Sequence, residues 1–161
     1  MGFADYVRAF LRQNPDILLI GEIRDEDTAR TAVRAANTGH LILSTIHTAD
    51  AVSAIARLRA LGVENDFLSE VLIGVVSQRL LRRACKPCEE CGQSGYRGRV
   101  GVFELFEADD EIRGLIAEGR SAHEIRKAAR RAGAKAMIED AREKVASGLT
   151  TEEEVARVVG R

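Results

Sequence analysis

"PDILLIGEIRDEDTA", residues Pro15 to Ala29, is an apolar run that ends in Gly21-Glu22 and a knot of charge. Within it, "DILLIG" is rich in Ile and Leu over the length of one strand, and such runs are the mark of strands buried on both faces, as in parallel sheets. Asp25 is placed to cap a helix that runs through Arg34, and "NTG" at Asn37 to Gly39 supplies its stop. "LILSTI", from Leu41, reads as a second buried strand. Strand, helix and strand without a hairpin turn predict a right-handed crossover, so the fold class is α/β with a partly parallel sheet and flanking helices.

Upstream, Phe3, Val7, Phe10 and Leu11 form one apolar stripe at helical spacing, ended by Asn14-Pro15. Downstream the chain reads as mostly helical. Ala51 to Leu61 is amphipathic and stopped by Gly62, and Phe67, Leu68, Val71, Leu72, Val75, Val76 and Leu80 draw a longer helical stripe. Arg79, Arg82 and Arg83 stand at its far end, where a helix dipole favours cations. "CKPCEECGQSGYRGRVGVFELF" breaks this pattern with a cysteine loop, glycines and a short strand at Val100 to Phe106. "SAHE" at Ser121 and "TEEE" at Thr151 have the form of capping boxes, with a further helix around Ala136 to Val145 between them.

With 161 residues, 45% hydrophobic and 30% charged, the chain can bury one core, which predicts one domain or a domain plus a helical appendix. A net charge of −1 argues against a broad nucleic-acid footprint, so no direct nucleic-acid partner is expected. No apolar stretch has the length of a membrane span and no secretory leader is present, so the chain reads as cytoplasmic. Its three cysteines share one short segment, which suggests metal or redox chemistry rather than a disulfide framework.

In an open parallel sheet, ligands bind beyond the carboxyl ends of the strands, and Glu22 sits at that end of the first strand. A carboxylate there can orient a water or help hold a metal bound to phosphate; the plainer reading is a solvated acid at a strand exit. His40 precedes the second strand and His47 follows it. At ~3.3 Å per residue they stand roughly 20 Å apart, so only His47 shares the ligand edge with Glu22.

These residues resemble a family. "RQNPDILLIGEIRDEDTA" is similar to the Walker B segment of the motor ATPases of type II secretion and type IV pilus assembly, and "TGHLILSTIHTADA" to their histidine box. The resemblance continues through "LIGVVSQRLLRR", the cysteine loop, "GYRGRVGVFEL" and "GLTTEEEV". It implies a hexameric RecA-like ATPase that binds ATP and magnesium between subunits and works with inner-membrane platform and cytoplasmic components of a secretion or pilus machine. Glu22 becomes the Walker B glutamate, His40 and His47 fall in the histidine box, and Arg24, Arg57 and Arg99 match arginines at subunit contacts or nucleotide. For Arg57 the alternative is a solvated helix face.

Two departures matter. No G-x-x-x-x-G-K-[ST] is present, and "GQSGYRG" lacks the lysine and hydroxyl of a phosphate loop. The expectation is therefore the C-terminal half of a motor, inactive by itself: residues 1–84 complete an ATPase core, 85–99 form a cysteine/glycine loop, and 100–161 a short strand and helical region. The family typically carries two C-x-x-C pairs, whereas Cys85, Cys88 and Cys91 form C-x-x-C-x-x-C. Two readings follow: a three-thiolate zinc site whose fourth position falls to water, His123 or a neighbouring chain, or reduced thiols in a shortened turn. From other classes, a non-catalytic docking module would not need Glu22 with His47. A thiol oxidoreductase built on "CKPC" is disfavoured because the motif is not at a strand-to-helix junction.

Overall fold

The computed structural model describes residues 3–160; within the first helix, the side chains of Phe3, Ala4 and Arg8 lie outside the described residues. The chain forms two compact units, each from two stretches: Met1–Val75 with Glu107–Ala132, and Val76–Phe106 with Gly133–Arg161.

In the first unit, helix α1 (Phe3–Leu11) is followed by strand β1 (Ile17–Ile20), helix α2 (Glu26–Asn37) and strand β2 (Leu41–Ser44). Asn14, at φ 50°, takes the left-handed turn ahead of Pro15 that ends the α1 segment. The strands pair in parallel, from Ile17 opposite Leu41 to Ile20 opposite Ser44, as the strand-helix-strand pattern predicts. Asp25 caps α2 by accepting from the Thr28 amide at 2.8 Å. Gly39, at φ 95°, makes the reversal into β2. The buried face of α2 is Thr28, Ala29, Thr31, Ala32 and Ala35, small side chains that allow close packing.

The two strands are not buried on both faces, contrary to the sequence expectation. Ile20 is buried, but Ile17 is 60% and Leu19 74% exposed, and Leu41 and Leu43 are exposed opposite them. Strand side chains alternate between faces, so one face of this sheet packs and the other presents four apolar residues to solvent.

Helices α3 (Ser53–Ala60) and α4 (Asn65–Val71) follow. The predicted long helix through Leu80 is a correction: α4 stops at Val71, and Gly74–Ala84 is strand β3. The physical reason lies in the spacing. Residues four apart, such as Val76 and Leu80, share a face in both a helix and a strand, while Gly74 disfavours helix and the β-branched Val75-Val76 pair favours the strand. The cationic side chains Arg79, Arg82 and Arg83 accordingly sit on a strand, and no helix dipole acts on them.

Strand β4 (Tyr96–Glu107) is longer than the predicted Val100–Phe106 and pairs with β3. Bonds from Cys85 N to Gly95 O and from Ala108 N to Ile73 O bracket an antiparallel hairpin. Helix α5 (Asp110–Ala117), capped by Asp109 onto the Ile112 amide at 2.8 Å, was not anticipated. Helix α6 (Ala122–Arg131) carries the predicted box, with Ser121 and Glu124 exchanging bonds. In the second unit, α7 (Met137–Ala146) and α8 (Glu152–Val158) pack with the hairpin around Leu81, Val102, Met137, Ala141 and Val155.

Thr151 caps α8 by accepting from the Glu154 amide, but Glu154 does not complete the box. Its fully buried carboxylate instead takes the Arg82 amide at 2.8 Å, the Arg82 guanidinium at 2.9 Å and the Arg157 guanidinium at 2.6 Å.

Candidate functional site

β1 ends at Ile20, and the next two residues place Glu22 just past the carboxyl edge of the parallel pair. β2 ends at Ser44 and delivers His47 to the same edge. The two side chains meet: His47 Nε2 stands 3.2 Å from Glu22 Oε2. Glu22 Oε1 also pairs with the Arg24 guanidinium. These contacts, the Arg24 hydrogen bond foremost, hold the Glu22 carboxyl below its ordinary pKa, so it is an anion near neutrality. An ionised carboxylate only accepts, so this contact places the imidazole proton on Nε2. Glu22 is 30% exposed and His47 87%, leaving the acid open to a ligand from solvent.

Arg57, on α3, donates from Nη2 to the Arg24 carbonyl at 3.4 Å, so four of the sequence-predicted residues fall in one neighbourhood: Glu22, Arg24, His47 and Arg57. His40 does not join them. Its Nδ1 lies 2.9 Å from the Ala35 carbonyl and 3.1 Å from Thr38 Oγ1, at the opposite end of β2, where it ties that strand to the end of α2. Arg99 belongs to β4 in the second unit.

Two further residues support the loop after His47. Asp50 accepts from the Ser53 amide at 2.8 Å, starting α3, and pairs with Arg126 of α6 at 2.9 Å. The aspartate before a helix is visible in "HTADAVS"; Arg126, 76 residues later, has no local signal. An open cleft of about 490 Å³ lined by Arg59, Val63, Glu64, Asn65, Asp66 and Ala117 holds none of the predicted site residues. Arg59 is engaged there by Asn65 Oδ1 and the Ile116 and Arg120 carbonyls.

In the second unit, Cys85, Cys88 and Cys91 gather their sulfurs within 4.8 Å of one another. The Cys85–Cys88 and Cys88–Cys91 separations are 3.9 and 3.8 Å. Tetrahedral zinc with Zn–S bonds near 2.3 Å sets its sulfurs ~3.8 Å apart, which these two separations match. The Cys88 amide donates to Cys91 Sγ at 3.3 Å and, chief among the causes, draws that thiol down to about 6. Burial chiefly pushes Cys85 up. The "CKPC" motif follows strand β3, not a helix, but a thioredoxin-like motif would activate its first cysteine, and Cys85 is shifted the other way. His123 belongs to α6 in the first unit and is not a member of the sulfur cluster.

Residues 1–157 match the family model "Type II/IV secretion system protein". The chain is 52% identical over 171 residues to "Type II secretion system protein HxcR" of Pseudomonas aeruginosa, covering 98% of this chain and 36% of that protein. It is 46% identical over 185 residues to "Type IV pilus assembly ATPase PilB" of Thermus thermophilus, covering 95% of this chain and 21% of the relative. Among solved structures it resembles the pilus retraction motor PilT with bound ADP, with a TM-score of 0.79 at 33% identity over 97% of this chain and 43% of that one. The Legionella pneumophila ATPase DotB gives a TM-score of 0.77 at 28% identity over 95% and 41%. The chain thus spans about a third of the length of HxcR and a fifth of that of PilB. The chain belongs to the type II/IV secretion system protein family.

Proposed function

We propose that this chain supplies the hydrolytic edge of a hexameric secretion or pilus motor ATPase. The observation that carries the reading is the Glu22 carboxylate, anionic and accessible, held between Arg24 and His47 at the carboxyl end of a parallel strand pair. Residues 1–84 act as the C-terminal part of a RecA-like core, 85–99 as a cysteine/glycine loop and 100–161 as a helical region. The residues fit ATP with magnesium at one end only. A carboxylate can orient the attacking water and support the metal, but no phosphate loop is present.

In this reading Glu22 takes a hydrogen bond from a water aimed at the terminal phosphate, while the Nε2 proton of His47 is shared with the same carboxylate. Arg24 and Arg57 offer cationic charge nearby, with Arg99 and His40 in supporting positions elsewhere in the chain. Magnesium, when bound with nucleotide, neutralises phosphate charge. The chain alone binds ATP poorly and does not turn it over. It works as a hexamer at the cytoplasmic face of the inner membrane, through a membrane platform and cytoplasmic components; among the described residues, no helix is long and apolar enough to cross a membrane. The three-cysteine loop would offer three thiolates to zinc with one position open, and the grouping of the sulfurs supports that capacity.

A second reading, a docking module without catalysis, draws on the exposed apolar face at Ile17, Leu19, Leu41 and Leu43. Joining the segment to a phosphate-loop half and measuring ATP turnover separates the two. Hydrolysis that Glu22→Gln abolishes while nucleotide binding persists supports the motor; turnover indifferent to Glu22 leaves the docking module.

A further inference from the structure

Glu22 stands outside the strand ladder that delivers it. The last paired residues of the parallel sheet are Ile20 and Ser44, and Gly21 follows at once, a residue with no side chain to restrict the backbone. The carboxylate's own partners are poor anchors. The Arg24 side chain is 71% exposed and His47 is more so, and ion pairs of such side chains constrain little because both ends are free to move into solvent. Orientation of the acid therefore has to come from its backbone.

Two hydrogen bonds from a single residue supply it. Thr45 Oγ1 donates to the Gly21 carbonyl at 2.7 Å, and the Ile23 amide donates to the Thr45 carbonyl at 2.9 Å. One bond lies on each side of Glu22. The hydroxyl serves a carbonyl beyond the last ladder pair, and Ile23, which is buried, anchors the far side in the core. Thr45 is also two residues before His47, so the residue that brackets the acid starts the stretch that carries its imidazole partner.

We infer that Thr45 is a positioning residue: its hydroxyl fixes the Gly21–Glu22 peptide and thereby registers the Glu22 carboxylate against His47. This rests on the reading of Glu22 and His47 as the hydrolytic pair. Errors of about 1 Å in the placement of a catalytic group cost ~10²-fold in rate, so a residue that acts only through backbone position matters to the reaction. Nothing in the local pattern of "LSTIHT" distinguishes this hydroxyl from that of Ser44, which turns to the neighbouring Thr45 carbonyl at 3.4 Å.

The test uses the chain itself and no nucleotide, so its failure is distinct from failure of the ATPase reading. Thr45→Val keeps the shape and removes the hydroxyl; Thr45→Ser keeps the hydroxyl; Thr45→Ala replaces the valine variant if that one does not fold. The readouts are the side-chain carboxyl 13C titration of Glu22 and amide exchange at Ile23, with a thermal melt as control. In the unsubstituted chain the Arg24 contact foremost holds the Glu22 carboxyl below its ordinary pKa. Thr45→Val, or Thr45→Ala in its place, is expected to move the midpoint up toward that ordinary value and to speed exchange at Ile23 by about tenfold or more, with Thr45→Ser restoring both. The inference is overturned if the variant lacking the hydroxyl leaves titration and exchange unchanged, or if Thr45→Ser behaves as that variant does.

Discussion

His47 Nε2 lies 3.2 Å from Glu22 Oε2 across 25 residues of sequence, at the one edge of the sheet where both parallel strands end. A parallel pair puts the exits of successive strands side by side, whatever the length of the helix between them. In a motor completed by a phosphate-loop half, Glu22→Gln is expected to keep nucleotide binding and lose hydrolysis by ~10²-fold or more, the scale of a positioned base. Equal losses of binding and turnover would assign Glu22 a structural or metal-holding role.

The isolated chain is expected to show no steady ATP turnover and little ATP affinity. Phosphate affinity in such sites comes from backbone amides and a lysine in a glycine-rich loop, which the Glu22 edge does not replace. Turnover by the purified chain, lost in Glu22→Gln, would contradict this.

Acid should loosen the second unit through Glu154. Its contacts with Arg157 first, and with Arg82, hold the carboxyl far below its ordinary value of 4.5. The unfolded chain therefore binds a proton that the folded one refuses. The resulting stability is complete above about pH 4.5 and drains away as pH falls further. Glu154→Gln should cost about 3 kcal/mol, the low end for a broken buried pair because both arginines reach solvent. A melt of the variant at pH 7 and at pH 4 checks both statements: the deficit should shrink at the lower pH.

Self-association should follow from the open face of the first sheet. Ile17 pairs directly with Leu41 and Leu19 with Leu43, so four exposed apolar side chains form one patch on a short sheet with unpaired edges. The chain is expected to associate at modest concentration, and Ile17→Lys with Leu19→Lys to reduce its mass by light scattering without lowering its melting temperature. A stable monomer before substitution would refute this.

Zinc, if taken up by Cys85, Cys88 and Cys91, should be released on acidification, because binding needs thiolates. Stripping it should speed exchange in the 85–95 loop while leaving the two cores folded. The core of the second unit is an apolar cluster that includes Leu81, Val102 and Ala141 and does not include the sulfurs. Stoichiometric zinc whose removal collapses the chain would show that the loop organises the fold.

What the sequence determined by itself was the α/β crossover, the caps at Asp25 and Ser121, and the presence of Glu22 and His47 on one edge while His40 lies at the other. Each rests on a local signal: an apolar run, a capping side chain, or the two-residue period of a strand. Tertiary structure decided the rest. Val75, Val76 and Leu80 satisfy helical and strand spacing alike, and their segment becomes β3 because β4 takes up its backbone hydrogen bonds. Glu154 looked like the reciprocal half of a capping box, yet it turns inward because two arginines, one of them 72 residues away, converge on it. The bracket of Thr45 around Glu22 and the hold of Arg126 on Asp50 are of the same kind. Local pattern sets which backbone states a segment prefers, but hydrogen-bond partners distant in sequence exist only once the chain has folded, so they alone choose between states the pattern leaves equal.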